Sequence, residues 1–259
     1  MRLNINADLG ESWGAFTMGN DAALLGVVTS ANVACGAHGG DAKVMADTVR
    51  LARARGVSIG AHPGYADLHG FGRRAMVLPD DELRALVVSQ LGALAAVARV
   101  GRWPITHVKP HGAMNNQACA DSGMAQVIAQ AIADFDPSLI LLAPVLSDLA
   151  RAGEQAGLMV ALEIFADRTY QPDGQLTPRS VPGSVLHDPA AARDHVLAMV
   201  DKGAVIARDG SVLDTAFHSI CVHGDGAAAL DTARMVRAAL EAGGHSILPL
   251  PQVMAGGTG

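Results

Sequence analysis

Short runs of alternating apolar and polar residues punctuate the chain, and between them the spacing changes to that of helices. The segments "RLNINAD" (2–8), "VVTSANV" (27–33), "VSIGAH" (57–62), "PITHVKP" (104–110), "LILLAP" (139–144), "MVALEIF" (159–165), "GAVIA" (203–207), "HSICVHG" (218–224) and "SILPL" (246–250) read as strands. Amphipathic stretches such as "DAKVMADTVRLARARG" and "DDELRALVVSQLGALAAVARVG" lie between them. Asp41 and Asp80 fit helix N-caps, and Gly56 and Gly101 fit the residue just past a helix end. Asp188 before Pro189 opens a further helix that stops at Gly203. Repeated strand-then-helix units predict parallel pairing through right-handed crossovers. Seven or eight such units in 259 residues predict an α/β fold, a single-domain (β/α) TIM-like barrel that is seven-stranded or irregular. It spans residues 1–250, with a short tail at 251–259; an open doubly wound sheet is the alternative.

Several of these strands carry an unbroken polar face. "LNINAD" sets Asn4, Asn6 and Asp8 against Leu3, Ile5 and Ala7, and "VSIGAH" sets Ser58, Gly60 and His62 against Val57, Ile59 and Ala61. "HVKPHGAMNN" turns His107, Lys109 and His111 to one side, "VALEI" isolates Glu163, and "ICVHGD" opposes Cys221, His223 and Asp225 to Ile220 and Val222. Both faces of a strand are buried in a helix-covered parallel barrel, so the polar face must look inward. Buried polar groups cost a few kcal/mol each unless paired, and a purely structural interior would hold branched aliphatics. The pattern therefore predicts a site at the C-terminal mouth. Lys109 needs a buried counter-charge, with Asp8 or Glu163 as the candidates. The aperiodic stretch 166–187, with its three prolines, reads either as a surface excursion or as a lid that brings Arg168, Tyr170 and Arg179 over that mouth.

Composition narrows the chemistry. Hydrophobic residues make up 50% of the chain and aromatics only 3%, so the core rests on Ala, Val, Leu, Ile and Met. A net charge of -6 without a Lys/Arg run argues against nucleic acid. No apolar run reaches the roughly 18 residues of a membrane span, and the first residues lack a signal-peptide core, so a cytoplasmic location is expected. Cys35, Cys119 and Cys221 are too few and too scattered for a disulfide framework. Cys35 with His38, or Cys221 with His223, could form a nucleophile–base pair. A divalent metal on Asp8, His62 and His111 is a further option. The run Gly224-Asp-Gly226 only half-spells a dinucleotide fingerprint, and no phosphate-binding P-loop occurs.

The segments "NINADLGESWG", "SANVACGAHGGD", "GAHPGYADLHGFGRR", "HVKPHGAMNN", "EIFADRTYQPDGQLTPR" and "ICVHGD" resemble, in order, the motifs of the LamB/YcsF family, from residue 2 to about 250. The resemblance implies a barrel related to glycoside hydrolase/deacetylase folds. It also implies ATP-dependent opening of 5-oxo-L-proline to L-glutamate, with two companion subunits that would handle ATP. By motif, Asp8, His62, Lys109, His111, Glu163 and His223 become the catalytic candidates. Glu11, Asn32, His38, Asp41, Arg73, Arg74, Arg168, Arg179 and Asp225 become the substrate-binding ones. Asn4 stands where the family commonly has Asp, Met114-Asn115 where it commonly has Leu-Tyr, and Gly226-Ala227 where Asn/Thr-Pro is usual. Two other function classes remain open: a stand-alone metal-dependent amidohydrolase or deacetylase, and a non-catalytic oxoproline-binding subunit. Self-association into a homo-oligomer is also left open.

Overall fold

The structure, a computed structural model, describes residues 1–222 and 229–256, so His223 and Asp225 lie outside the described residues. Seven parallel strands close into a barrel: β1 (Arg2–Leu9), β2 (Ser30–Ala34), β3 (Ser58–His62), β4 (Ile105–Val108), β5 (Ile140–Pro144), β6 (Met159–Phe165) and β9 (Ser219–Cys221). Closure runs through Asn4 opposite Ser219 and Asn6 opposite Cys221. The crossovers carry α1 (Asp21–Leu24), α2 (Ala42–Arg55), α3 (Asp80–Val100), α4 (Gly112–Ala118), α5 (Ser122–Phe135), α6 (Asp148–Gln155), α7 (Pro189–Lys202) and α8 (Ala229–Ala242). Leu3, Ile5, Ala31, Val33, Ile59 and Ala61 face outward under these helices and are fully buried. That alternation leaves the polar positions pointing at the barrel axis.

Local chemistry explains the boundaries. Asp41 caps α2 by accepting from the Lys43 and Val44 amides, and Gly56 closes it in the left-handed region at φ 67°. Asp188 caps α7 ahead of Pro189, and Gly203 ends it at φ 63°. Four expectations shift. Pro79, not Asp80, holds the cap position of α3, and Gly101 keeps a right-handed φ of -69°. The "GAVIA" run is not a barrel strand: β7 (Ala204–Ile206) pairs antiparallel with β8 (Val212–Asp214) as a ribbon outside the barrel. A three-residue apolar run cannot itself say which sheet it joins. The "SILPL" run shrinks to β10 (Ser246–Ile247), which pairs with the start of β1. Beyond it, α9 (Leu250–Met254) places fully buried Leu250 against Ile140, Leu142 and Ala161, sealing the lower end of the barrel.

Candidate active site

The inward-facing side chains form a hydrogen-bonded column. At its base Asn4 Nδ2 donates to Ser30 Oγ (2.8 Å), Ser30 and Ser58 share a 2.6 Å bond, and Ser219 Oγ donates to Asn4 Oδ1 at 2.6 Å. One layer higher, Asn32 Nδ2 donates to Asn6 Oδ1 and Asp8 Oδ1, both at 2.8 Å, while Asn6 Nδ2 reaches Glu163 Oε2 at 3.2 Å. His107 joins this layer, 3.0 Å from Asn32 Oδ1, and burial pushes its pKa down to about 3, so the ring is neutral. Gly60 makes room for it, because a Cβ there would stand 2.2 Å from His107 Cδ2.

Above the amides sits the buried ammonium of Lys109. Its Nζ lies 3.1 Å from Glu163 Oε2, 3.3 Å from Asp8 Oδ1 and 3.1 Å from Cys221 Sγ. Burial alone would lower its pKa, but these neighbours hold it well above the ordinary lysine value. The Cys221 thiol is itself pushed up by burial and stays neutral, so Asp8 and Glu163 are the effective anions. Burial also raises the Glu163 carboxyl, against the pull of Lys109. The counter-charge of Lys109 is therefore shared by both carboxylates. Cys35 and Cys119, with thiols raised to about 12 by burial, are core groups, and Cys35 Sγ–H donates to the Val33 carbonyl. That removes the Cys35–His38 nucleophile pair.

Beside Lys109 four further groups converge. His62 Nδ1 lies 2.6 Å from the Lys109 carbonyl, and His111 Nε2 lies 2.8 Å from the Phe71 carbonyl. A carbonyl only accepts, so each of these nitrogens carries a ring hydrogen, and in the neutral ring the partner nitrogen presents the lone pair. Those two lone-pair nitrogens, His62 Nε2 and His111 Nδ1, are 3.0 Å apart. Asp8 Oδ2 is 3.3 Å from the first, and Glu11 Oε1 is 3.4 Å from the second. His38 Nε2 contacts Glu11 Oε1 at 3.2 Å, and the His38 ring stacks flat on His111 at 3.6 Å. Burial lowers the His38 pKa and drops His111 to about 3, which keeps both rings neutral. The ligand atoms of Glu11, His38, His62 and His111 all lie within 4.8 Å of one another. Facing lone pairs and carboxylates repel unless a cation sits among them, and imidazole nitrogens with carboxylates suit a divalent transition metal. Backbone carbonyls that fix each ring from behind are the usual support for such a ligand. The set is wider than Asp8, His62 and His111, since Glu11 and His38 join it.

A cavity of about 440 Å³ opens over this floor. Asp8, His62, Lys109 and His111 line its base, Asn115 and Arg73 its side, and Phe165, Arg168, Tyr170, Leu176 and Arg179 its roof. The 166–187 segment supplies most of that roof and is tied down by its own bonds. Tyr170 Oη accepts from the Phe165 amide at 2.9 Å, and the Thr177 amide donates to the Thr169 carbonyl at 2.9 Å.

Most of the anticipated groups thus meet at one mouth, with three exceptions among the described residues. Asp41, expected to bind substrate, is spent on capping α2 and on accepting from the Gly14 amide at 2.6 Å. Arg74, expected likewise, points outward to a salt bridge with Asp67, whose carboxyl it holds down at about 2. Asn32 belongs to the column below the cavity rather than to its lining. Phe71 was not anticipated: it adopts φ 54°, unusual for an aromatic, and presents its carbonyl to His111 and its ring edge to His38 and His111. The flanking "GFG" was its only trace. Asn6, Phe165 and Cys221 around Lys109 were also missed as partners, although their inward parity was readable.

Comparison with known proteins adds independent weight. The chain is 53% identical over 253 residues to the A subunit of 5-oxoprolinase from Azoarcus sp. (strain BH72), covering 98% of this chain and 99% of that one. It is 52% identical over 248 residues to the A subunit of 5-oxoprolinase from Methylococcus capsulatus, covering 96% and 95%. A crystal structure of the lactam utilization protein from Thermus thermophilus superposes with a TM-score of 0.90 at 45% identity, covering 96% and 99%. Residues 3–255 match the family described as LamB/YcsF, and the chain belongs to that family.

Proposed function

We infer that the chain is the A subunit of a cytoplasmic, ATP-dependent 5-oxoprolinase that opens 5-oxo-L-proline to L-glutamate together with two companion subunits. The observation that carries this reading is the meeting of a buried ammonium, two carboxylates and two acceptor imidazoles beneath one small roofed cavity. Curated relatives at about half identity bear the same subunit name. A five-membered lactam is a stable amide, so both its carbonyl and the attacking water need activation. ATP, bound by the companions, supplies the first by phosphorylating the amide oxygen. The second falls to this chain.

Asp8, whose Oδ2 lies 3.3 Å from His62 Nε2, takes the proton from the attacking water. Lys109 Nζ faces the oxygen on which negative charge develops, and in a dry site such a donor contributes several kcal/mol. Glu163, fully buried behind Lys109, positions it rather than touching substrate. Glu11, His38, His62 and His111, with Asp8 beside them, are the groups that would hold a divalent cation, which would supply Lewis acidity at the scissile carbonyl. The roof shields the cavity from bulk water during the reaction. The test is an ATP-coupled 5-oxoproline assay with and without the companions: glutamate formed only by the full complex, and lost without ATP, is the expected result. The Glu11–His38–His62–His111 cluster favours a second reading, a metal-dependent amidohydrolase, and turnover without ATP or companions would select it.

A further inference from the structure

Two buried polar atoms at the cavity have no hydrogen-bond partner, and they are of opposite kind. Asn115 Oδ1 is an acceptor and Arg168 Nε is a donor; both residues are 6% exposed and both line the cavity. An unpartnered buried polar atom is costly, so two of them, one in the side and one in the roof of the same hollow, point to a ligand that supplies the missing partners. Asn115 lies in α4, which starts immediately after the cavity-floor residue His111. Arg168 hangs from the roof and is braced by its Nη2, which donates to the fully buried Thr177 carbonyl at 2.7 Å. Arg179 lines the same roof and forms no ion pair among the described residues. Burial, and next the charge of Arg179, lower the Arg168 pKa, against the pull of the Asp167 carboxylate.

We propose that Asn115 Oδ1 receives the ring N–H of a five-membered lactam acid while Arg168 Nε, with Arg179, receives its carboxylate. This rests on the ring-opening reading and adds an orientation to it. A ring held at its N–H from the side and at its neighbouring carboxylate from the roof turns its carbonyl, on the far side of the nitrogen, toward the base of the cavity, where Lys109 and His62 stand. The site would then select secondary lactams carrying an acid. It would reject the lactone acid, which offers an oxygen where Asn115 needs a donor, and plain 2-pyrrolidinone, which lacks the anion for Arg168.

The experiment uses the assembled complex and compares kcat/KM for 5-oxo-L-proline with inhibition by the γ-lactone acid and by 2-pyrrolidinone. Wild type is expected to prefer the lactam acid to either analogue by about tenfold or more. Asn115→Leu should erase the preference over the lactone alone, and Arg168→Met the preference over 2-pyrrolidinone alone. Asn115→Asp keeps an acceptor and should keep the lactam preference, which separates recognition from damage to the fold. Wild type that turns over 5-oxoproline yet binds the lactone acid equally well, or an Asn115→Leu complex with its preference intact, overturns the assignment and leaves the proposed activity standing. A wild-type complex that does not turn over 5-oxoproline at all removes both.

Discussion

Replacing Lys109 by Met removes one charge and almost no volume from the middle of the barrel. The ammonium stands 3.1 Å from Glu163 and 3.3 Å from Asp8. At an effective dielectric near 20, each of those attractions is about 5 kcal/mol. Much of that offsets the dehydration of the ions, and loss of one partner from a buried pair costs about 3–5 kcal/mol net. Asp8, 15% exposed, recovers some solvation, whereas Glu163 at 0% recovers none. Its escape is to take up a proton. Burial already raises the Glu163 pKa, and without Lys109 only the hydrogen bond from Asn6 opposes the rise. Glu163 then binds its proton more tightly folded than unfolded, where the value is about 4.3. The variant's deficit is therefore smallest near or below that pH and grows as pH climbs through the folded value. Urea unfolding of wild type and Lys109→Met at pH 5 and pH 7.5 measures this directly. Equal midpoints at pH 7.5, or a deficit that ignores pH, would refute the electrostatic account. In the assembled complex the same variant should lose about 10²–10³ in kcat, since a charge-stabilising donor is gone. If affinity for oxoproline falls while kcat holds, the chain is a binding subunit instead.

Two other expectations follow from the geometry. Purified chain dialysed against zinc or manganese should retain about one ion per molecule by elemental analysis, and His111→Ala and Glu11→Gln should each reduce that retention; unchanged retention in both variants would remove the cluster as a metal site. Gly60→Ala drives a methyl to 2.2 Å from His107 and should destabilise the barrel by about 1–3 kcal/mol, read as a shifted denaturation midpoint, and no shift would mean the ring has room to move.

The barrel was legible because strand parity is a strict code: the inward positions Asn4, Asn6, Asp8, His62, Lys109 and Glu163 can be counted off in twos. Nothing comparable marks Phe71, whose part is played by a backbone carbonyl and a strained φ of 54°. Asp41 and Arg74 misled for a related reason. A carboxylate that caps a helix and an arginine that braces a turn look, in sequence, like those that meet a ligand. The ribbon of β7 and β8 was obscured because a run of three residues carries too little periodicity to assign a sheet. Charge pairing around Lys109 was readable as a need, but the choice between Asp8 and Glu163 was not, and the structure uses both.

The amide-and-hydroxyl column has a bearing on how the chain finds a unique fold. In a barrel filled with aliphatics, a strand that slips along its neighbour by two residues keeps every oily group inside and sacrifices little. Here the same slip would carry Asn6 to the level of Asn4 and leave Asn32, Ser219 and Glu163 facing the wrong donors and acceptors. Directional bonds along the axis thus fix the shear of the cylinder, and the mispaired closures that a greasy lumen would tolerate are excluded.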